Sequence, residues 1–496
     1  MIPRLAYVAL LGLSVHGQDT IKPKVNPTAL QAEMKTENLM SHLHALQRIA
    51  DANGGNRAFG LPGYQASVDY IWSQISNIPG TKIWKQDLPG NFQFAEAELR
   101  VITGAGGVNV SVPVVAIGKS PSTPDSGIEA ELVAGPEGVA GCNDTSYANL
   151  NLDVKGKIVL VERGVCGGPN NTTLHGGKII AAAQAGAIAV ITYEDSPREV
   201  FSPELPEARP DYVPAGAISQ ADGQKLKAQL SPVSGNNNNT NTPLPVRVYF
   251  RQKQIRETRM TQNILAEIQG DPNSNSTEGE AEQVIMLGAH LDSVQAGPGI
   301  NDNGSGSSII LEIFRNLATK YRETKHTVRF AWWAAEEATG LGSRFYCYNL
   351  TDNFPAEADK ILAYLNFDMV SRGAYYVSDG DGSTDNEGGG WPSWPGSDVI
   401  ERLWLEYFKG VGIVAKEQRI GFDSDHFFFQ EILKKPVGFL FTGISEEEDP
   451  CYHRACDDIG NVNPEMLTIN ARVNLFFLSY KSGEKEIFFF LGTLLC

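Results

Sequence analysis

The chain contains 496 residues, more than one ordinary hydrophobic core organises, so its length predicts two or three folding units. Hydrophobic residues make up 42% and charged residues 20% of it, as in globular proteins, and 50 Gly and 27 Pro indicate many turns. The formal net charge of −17 argues against nucleic acid or an anionic membrane surface as a partner, because phosphate binding requires clustered Lys and Arg.

The first 17 residues have the pattern of a secretory signal peptide. Arg4 gives the positive start, Leu5–Leu13 the apolar stretch and Val15–Gly17 a small-residue cleavage site. Scattered Asn-x-Ser/Thr sequons fit an extracellular glycoprotein, including those at Asn109, Asn143, Asn170, Asn275 and Asn349. We therefore expect a secreted protein, with a vacuolar location as the alternative.

The cysteines and the C-terminal end add to this picture. Six cysteines in an oxidising compartment permit disulfides, and short spacing favours Cys451–Cys456 ahead of Cys142–Cys166, with Cys347 and Cys496 unassigned. No internal stretch approaches the roughly 20 apolar residues that span a bilayer. The apolar end Ile487–Cys496 fits a buried last strand or a translation artefact better than a lipid-anchor signal, whose spacer is missing.

The first half of the chain changes from helical to extended patterns. Apolar residues at helical spacing predict helices over Asn26–Ala50 and Tyr64–Ile78. From about Ala95, short apolar runs separated by turn residues predict strands, with one helix at Lys178–Ala185. These strands are Val108–Val115, Ile158–Val161 and Ile188–Ile191. The low-complexity run Gly235–Thr240 is predicted to be a loop.

From Thr261 onward, strands alternate regularly with helices. The predicted elements are strand Val284–Leu287, helix Ser307–Lys320, strand Thr327–Trp333, helix Gly342–Leu350, strand Ile361–Phe367, helix Ser397–Gly410 and strand Val437–Phe441. Near-continuous apolar strands alternating with helices predict an α/β fold with a mixed, mostly parallel central sheet flanked by helices. In such sheets, functional sites form at the C-terminal ends of the strands.

Acidic or imidazole residues follow each of these strand ends. In chain order they are His290, Asp292 and Asp302 after the first strand, Glu336 and Glu337 after the second, Asp368 after the third, and His453 beside Tyr452 beyond the last. Zinc accepts imidazole nitrogen and carboxylate oxygen, and two zinc ions need a bridging carboxylate and ligands that offset their summed charge. The predicted ligands are His290, Asp302, Glu337, Asp368 and His453.

Each motif taken alone has an ordinary explanation. A His-x-Asp sequence is most often a surface pair, and Asp302–Gly306 alone can be a turn or a helix N-cap. A Glu-Glu pair usually lies on a solvated face, and His453 between two cysteines can be structural. The prediction of a metal site therefore depends on the combination at successive strand ends.

This ordered set resembles the M28 family of two-zinc aminopeptidases, and most of all its fungal secreted leucine aminopeptidase and vacuolar aminopeptidase Y branch. The similarity runs from about Asn56 to Asn461, and its most specific motifs are Asp302–Gly306, Glu336–Glu337 and Tyr452–His453. The inserted block resembles a protease-associated (PA) domain at Gly156–Cys166, Ala185–Ala187 and Val213–Ser219. The resemblance implies a zinc-peptidase domain (phosphorylase/hydrolase-like) over residues 18–95 and 251–496, with a β-rich PA domain inserted over residues 96–250.

The resemblance also implies a metal-binding role for each ligand. His290 and Asp368 bind one zinc ion, Glu337 and His453 bind the other, and Asp302 bridges the two. The implied activity is the removal of N-terminal residues from peptides with a free N-terminus, with a preference for apolar first residues such as Leu. The implied enzyme is a monomer.

Three further residues receive catalytic roles from the resemblance. Glu336 is the general base, Tyr452 hydrogen-bonds the oxyanion and Asp292 orients His290. The residues themselves do not distinguish Glu336 from Glu337 as base and ligand. An extended strand end does point His290 and Asp292 the same way, so Asp292 can hold the second imidazole nitrogen.

One loop departs from the family pattern. In Gly421–His426, Asp423 stands near the position of an Arg in related bacterial enzymes, which leaves first-residue preference open, and His426 is an additional candidate ligand.

Three other functions compete with the aminopeptidase. A carboxypeptidase would need a cationic cluster to hold a terminal carboxylate, and a receptor-like relative would have lost metal ligands. A mononuclear cyclising enzyme is disfavoured by Asp302 and His453.

Overall fold

The structure is a computed structural model that describes residues 25–103, 108–167, 174–198, 200, 203–230, 245–271, 282–321, 324–384 and 393–479. The signal peptide, the run Gly235–Thr240, the C-terminal segment with Cys496, and the sequons at Asn170 and Asn275 lie outside these residues. No helix in the described part is long and apolar enough to cross a membrane.

The chain divides into two compact units. The first comprises the residues up to Gly90 and from Arg259 onward, and the second is Asn91–Thr258. The bounds of the inserted domain, residues 96–250, remain a prediction from the sequence. The elements up to the end of the second unit are α1 (Pro27–Glu33), α2 (Thr36–Ala52), α3 (Pro62–Ile75), β1 (Lys82–Thr103), β2 (Val108–Val112), β3 (Val115–Ala116), β4 (Ile128–Ala134), α4 (Asp144–Asn149), β5 (Ile158–Glu162), α5 (Gly176–Gln184), β6 (Ala189–Tyr193), β7 (Ala215–Ile218), α6 (Gln220–Leu230) and β8 (Arg247–Ile268).

The second unit is built on a small sheet of buried strands. Strands β4, β5, β6 and β7 are parallel in that order, and β3 pairs with β7 antiparallel. The first part of β8 pairs antiparallel with β4, and β1 pairs with β2. The predicted disulfide Cys142–Cys166 is confirmed. The predicted strands near Ile158 and Ile188 correspond to β5 and β6.

The remaining elements belong to the first unit. They are β9 (Val284–His290), α7 (Gly306–Lys320), β10 (Thr327–Trp333), α8 (Leu341–Asn353), α9 (Pro355–Lys360), β11 (Ile361–Phe367), β12 (Tyr375–Ser378), α10 (Ser397–Gly410), β13 (Lys416–Gln418), α11 (His426–Glu431), β14 (Val437–Thr442) and α12 (Pro464–Ser479). The sheet order is β13-β12-β14-β11-β9-β10-β8. Its four central strands are parallel, whereas β12 and β8 run antiparallel to their neighbours β14 and β10. The predicted mixed, mostly parallel α/β fold is confirmed.

Burial explains why these segments become strands. All seven residues of β10 are buried, as expected for a strand that is covered on both faces, and its charged residue Arg329 forms an ion pair with Glu267. Its last residue, Trp333, donates a hydrogen bond from Nε1 to the hydroxyl of Tyr364 at 2.8 Å, and Tyr364 stacks on Phe429 with ring centroids 3.8 Å apart. Gly288 is required in β9, because a Cβ there would collide with the Tyr364 hydroxyl. This dense aromatic packing holds the strand ends in place.

The N-terminal helix differs from its prediction. The single helix expected over Asn26–Ala50 is two helices, with Met34 and Lys35 outside both. Asn26 caps α1 by accepting a hydrogen bond from the backbone N–H of Ala29 at 3.0 Å. Met34 is completely buried after the end of α1, so the chain changes direction while its apolar side stays in the core.

Candidate metal centre

Strand register brings the predicted site residues to one edge of the sheet. His290 ends β9 opposite Trp333, the last residue of β10. Asp368 directly follows β11, whose Asn366 lies opposite Gly288 of β9. Because the central strands are parallel, the segments that follow them meet at their common C-terminal edge.

The first group of candidate ligands is buried. His290 Nε2 lies 3.2 Å from Asp302 Oδ1 and 3.2 Å from Asp368 Oδ1. One ligand atom from each of the three residues falls within 4.8 Å of the others. A single ion can therefore be reached by one imidazole and two carboxylates.

The second group shares Asp302 with the first. His453 Nε2 lies 3.1 Å from Asp302 Oδ2 and 3.2 Å from Glu337 Oε2, and these ligand atoms also lie within 4.8 Å of one another. The two oxygens of Asp302 thus face different imidazoles. This is the arrangement that a carboxylate bridging two cations requires.

The adjacent glutamates occupy different positions. Glu337 belongs to the second group, whereas Glu336 belongs to neither, and its Oε2 lies 4.0 Å from His290 Nε2. Their backbone N–H groups donate to the two carboxylate oxygens of Asp292, at 3.1 Å for Glu336 and 3.3 Å for Glu337. Ala335 before them has φ 56°, a left-handed conformation that costs a non-glycine residue about 1–3 kcal/mol. Asp292 therefore positions the glutamate pair.

The contact between Asp292 and His290 differs in detail from the expected one. His290 Nδ1 lies 3.1 Å from the main-chain carbonyl of Asp292 and 3.6 Å from its carboxylate. The carbonyl is thus the nearer acceptor for the second imidazole nitrogen, while the carboxylate is used mainly by the glutamate amides. One residue supports two parts of the site.

The rim of the site is a short loop closed by the disulfide Cys451–Cys456, which confirms the second predicted pairing. His453 in this loop has φ 56°. The ring of Tyr452 stacks on His453 with centroids 3.8 Å apart, and its side chain remains 45% exposed. Cys347 is buried and free, far along the chain from both bridges.

The electrostatics of these residues fit a cation. Burial raises the pKa of Glu337 to about 7, raises the pKa of Asp368 and raises that of Glu336 well above its usual value. Burial also opposes ionisation of Asp302, but hydrogen bonds from His290 and His453 outweigh it and leave its pKa below the usual value. Glu337 Oε1 is buried without a hydrogen-bond partner in the described part of the chain. Mixed imidazole and carboxylate donors with a spare buried oxygen suit zinc.

Sequence reasoning missed the contribution of two residues in the loop Gly421–His426. Ser424 donates a hydrogen bond from Oγ to Asp368 Oδ2 at 2.7 Å. The charge of the neighbouring Asp425 raises the pKa of Glu336. The only sequence signal for both was their position in the loop Gly421–His426. His426 is fully buried, stacks on Phe439 with centroids 4.7 Å apart and belongs to neither ligand group.

The chain resembles known proteins over most of its length. The family model described as "Peptidase family M28" matches residues 263–478, and the PA domain model matches residues 128–226. The chain is 34% identical over 490 residues to leucine aminopeptidase 2 of Trichophyton rubrum, covering 94% of this chain and 88% of that protein.

Solved structures show the same fold. An aminopeptidase from Aneurinibacillus sp. strain AM-1 superposes with a TM-score of 0.58 at 23% identity, covering 92% of this chain and 95% of that one. A zinc aminopeptidase from Bacillus subtilis gives a TM-score of 0.58 at 23% identity, with coverage of 90% and 96%. Given the sequence relationship over nearly the whole chain, the protein belongs to peptidase family M28.

Proposed function

We propose that this protein is a secreted aminopeptidase that uses two zinc ions to hydrolyse the first peptide bond of peptides with a free N-terminus. One observation carries the proposal. Asp302 lies between His290 and His453 with a separate oxygen toward each, and each imidazole has one further carboxylate beside it. A duplicated ligand set with a shared carboxylate is chemically suited to a pair of cations.

In this proposal the two ligand groups each hold one ion. His290 and Asp368 would hold the first ion, Glu337 and His453 would hold the second, and Asp302 would be shared by the two groups. Bound zinc supplies Lewis acidity, which makes water a better nucleophile near neutral pH and polarises the peptide carbonyl.

Glu336 is the proposed general base. Because Glu337 faces His453 and Asp302, the neighbouring carboxylate of Glu336 is left for proton transfer. Glu336 takes a proton from the attacking water and returns it to the nitrogen of the leaving amine. The hydrogen bond from the backbone N–H of Glu336 to Asp292 holds the main chain from which this partly buried carboxyl group extends.

Tyr452 and the acidic residues act on the substrate. The exposed hydroxyl-bearing ring of Tyr452, stacked on His453, is the proposed hydrogen-bond donor to the oxyanion that forms on the peptide carbonyl. Burial raises the pKa of Tyr452, so its hydroxyl retains its proton at neutral pH. Carboxylates at the site that are not used as metal ligands would attract the positive free amine of a peptide.

A preference for apolar first residues such as leucine is supported by two observations. The related protein of Trichophyton rubrum is named a leucine aminopeptidase. On the loops near the C-terminal edge of the sheet, Phe422 and Ile444 are 54% and 49% exposed, which leaves apolar surface for a substrate side chain. Secretion is supported by the two disulfides, which persist in oxidising compartments.

The proposal is tested by counting metal ions and by matched peptide assays. Purified protein is expected to contain two zinc ions per chain by mass spectrometric metal analysis and to release free leucine from leucyl peptides. The same peptides with an acetylated N-terminus are expected to resist cleavage. Release of C-terminal residues would indicate a carboxypeptidase, and zinc binding without any hydrolysis would indicate a receptor-like relative.

A further inference from the structure

Arg57 is a fully buried cation whose hydrogen bonds all go to the chain that follows β9. Its guanidinium donates to the carbonyl oxygens of Leu291, Pro298 (2.9 Å) and Gly299 (2.6 Å). Its backbone N–H donates to Ser293 Oγ at 2.9 Å. Burial lowers the pKa of Arg57 to about 10, and the charges of nearby carboxylates oppose this effect, so the side chain is charged at neutral pH. One side chain thus holds both ends of a loop.

Asp457 holds the next part of the same chain from the opposite direction. Its Oδ1 accepts the backbone N–H of Asn301 and its Oδ2 accepts the backbone N–H of Asp302, both at 3.0 Å. Its own main-chain carbonyl accepts the N–H of Ile300 at 2.9 Å, and Asn461 donates to its Oδ1 at 3.0 Å. Asp457 directly follows Cys456, which closes the disulfide loop of His453.

We infer that Arg57 and Asp457 are positioning residues that set the distance between the two halves of the metal centre by holding the backbone of residues 291–302. This inference rests on the proposed two-zinc function. The segment begins next to His290 and ends at Asp302, so it joins the buried histidine to the shared carboxylate. Asp457 also joins that carboxylate to the loop that carries His453.

The geometry of Asp302 explains why such support is needed. Its two oxygens lie 3.2 Å from His290 Nε2 and 3.1 Å from His453 Nε2, so a displacement in either direction weakens one half of the centre. Functional groups of this kind must be held within about 0.5 Å. The segment that carries Asp302 also contains glycines at positions 297 and 299 and has no regular strand or helix before residue 300. Side chains from elsewhere therefore supply its order.

Two conservative variants and two matched controls test the inference in the full-length zinc-loaded protein. Arg57→Lys keeps the charge but cannot reach three carbonyl groups, and Asp457→Asn replaces one acceptor oxygen by a donor. The controls are Arg48→Lys, which changes an exposed residue, and Asp458→Asn, which keeps the cap on the N–H of Gly460. The readouts are zinc retention against a chelator, together with kcat and KM measured at saturating zinc.

Both test variants are expected to lose zinc about 10–100-fold more readily than wild type, as is typical when the support of metal ligands is removed. We expect kcat to fall by a similar factor while KM changes less than about 3-fold, because the substrate contacts are unchanged. The controls are expected to match wild type. If Arg57→Lys and Asp457→Asn retain zinc and kcat like the controls, the inference is wrong and the proposed function stands. Wild-type protein that binds no zinc would instead overturn the proposed function.

A measurement on the wild-type protein tests the same inference without depending on the folding of any variant. In metal-free wild type, the backbone amides of Asn301 and Asp302 are expected to be protected from hydrogen exchange, because Asp457 accepts both. The amide of the exposed residue Gly460, which donates to Asp458 Oδ1, provides a comparison from the chain that follows Asp457. Amides of Asn301 and Asp302 that exchange freely until zinc is added would show that the metal orders this segment, and would overturn the inference.

Discussion

The two halves of the proposed metal centre have the same kinds of donor, but the fold supports them differently. In the inner half, the side chain of His290 is 1% exposed and that of Asp368 is 8% exposed, and both residues come directly from strand ends. In the outer half, the side chain of His453 is 30% exposed and that of Glu337 is 12% exposed, and both lie on turns with left-handed backbone nearby. Imidazole and carboxylate donors are therefore held by the sheet in the inner half and by short loops in the outer half.

This difference indicates that the type of ligand alone does not determine metal affinity. Rigid, buried ligands need no ordering when an ion binds, whereas exposed loop ligands lose conformational freedom. We expect the inner ion to be retained more strongly than the outer ion.

The adjacent glutamates give the sharpest contrast. Glu336→Gln is expected to keep both zinc ions and to lower kcat about 10²–10⁴-fold, because only the proton-transfer group is removed. Glu337→Gln is expected to lose zinc from the outer half, since Glu337 faces His453. Metal analysis and steady-state rates of both variants check the pair. If the Glu336→Gln protein is as active as wild type, Glu336 is not the general base.

The sequence predicted much of this arrangement because its signals are local. The strands Thr327–Trp333 and Ile361–Phe367 have the predicted bounds, since both are mainly apolar and almost entirely buried. The long strands β1 and β8 were missed, because polar and half-exposed residues interrupt their apolar pattern. The ligand candidates were found because each follows an apolar strand.

The supporting residues could not be found in the same way. Arg57 contacts the backbone of residues more than two hundred positions away, and Asp457 contacts amides about one hundred and fifty positions away. Such contacts depend on which backbone groups the fold leaves unpaired, and side-chain patterns carry no record of them. Ser424 is similar, because its role appears only when its hydroxyl reaches Asp368.

The two ligand histidines provide the next test of the comparison. His453→Gln is expected to leave a protein with one zinc ion and to lower the melting temperature less than His290→Gln does, because His453 lies at the partly exposed rim. His290→Gln is expected to lose the inner ion and to melt at a lower temperature, since Asp302 and Asp368 then remain buried without its hydrogen bonds. Zinc content and melting temperature check both variants. Equal losses of zinc and stability would contradict the proposed difference between the halves.

Removal of each of the two disulfides in turn provides a matched comparison, with smaller expected effects on stability and zinc retention. Removing Cys451–Cys456, which closes a loop with a separation of 5 residues, is expected to cost about 2 kcal/mol of loop-closure stabilisation and to weaken the outer zinc ion selectively. Removing Cys142–Cys166, with a separation of 24 residues, is expected to destabilise the second unit and leave zinc retention unchanged. Chelator titrations of the two double-serine variants distinguish these outcomes. Unchanged zinc retention in both would show that the rim loop holds its shape without the bridge.

The smallest expected effect is a pH dependence that arises in the outer half of the metal-free protein. Burial and the charge of Asp302 raise the pKa of Glu337 to about 7, so between pH 4.5 and 7 the folded chain binds a proton that the unfolded chain releases. Folding stability from this group is therefore complete below about pH 4.5 and is lost as the pH rises through 7. Glu337→Gln removes this contribution, so its melting temperature should fall less than that of wild type between pH 5 and pH 8. If the two proteins lose stability in parallel across this range, Glu337 is ionised in the metal-free fold and the outer half is open to solvent before zinc binds.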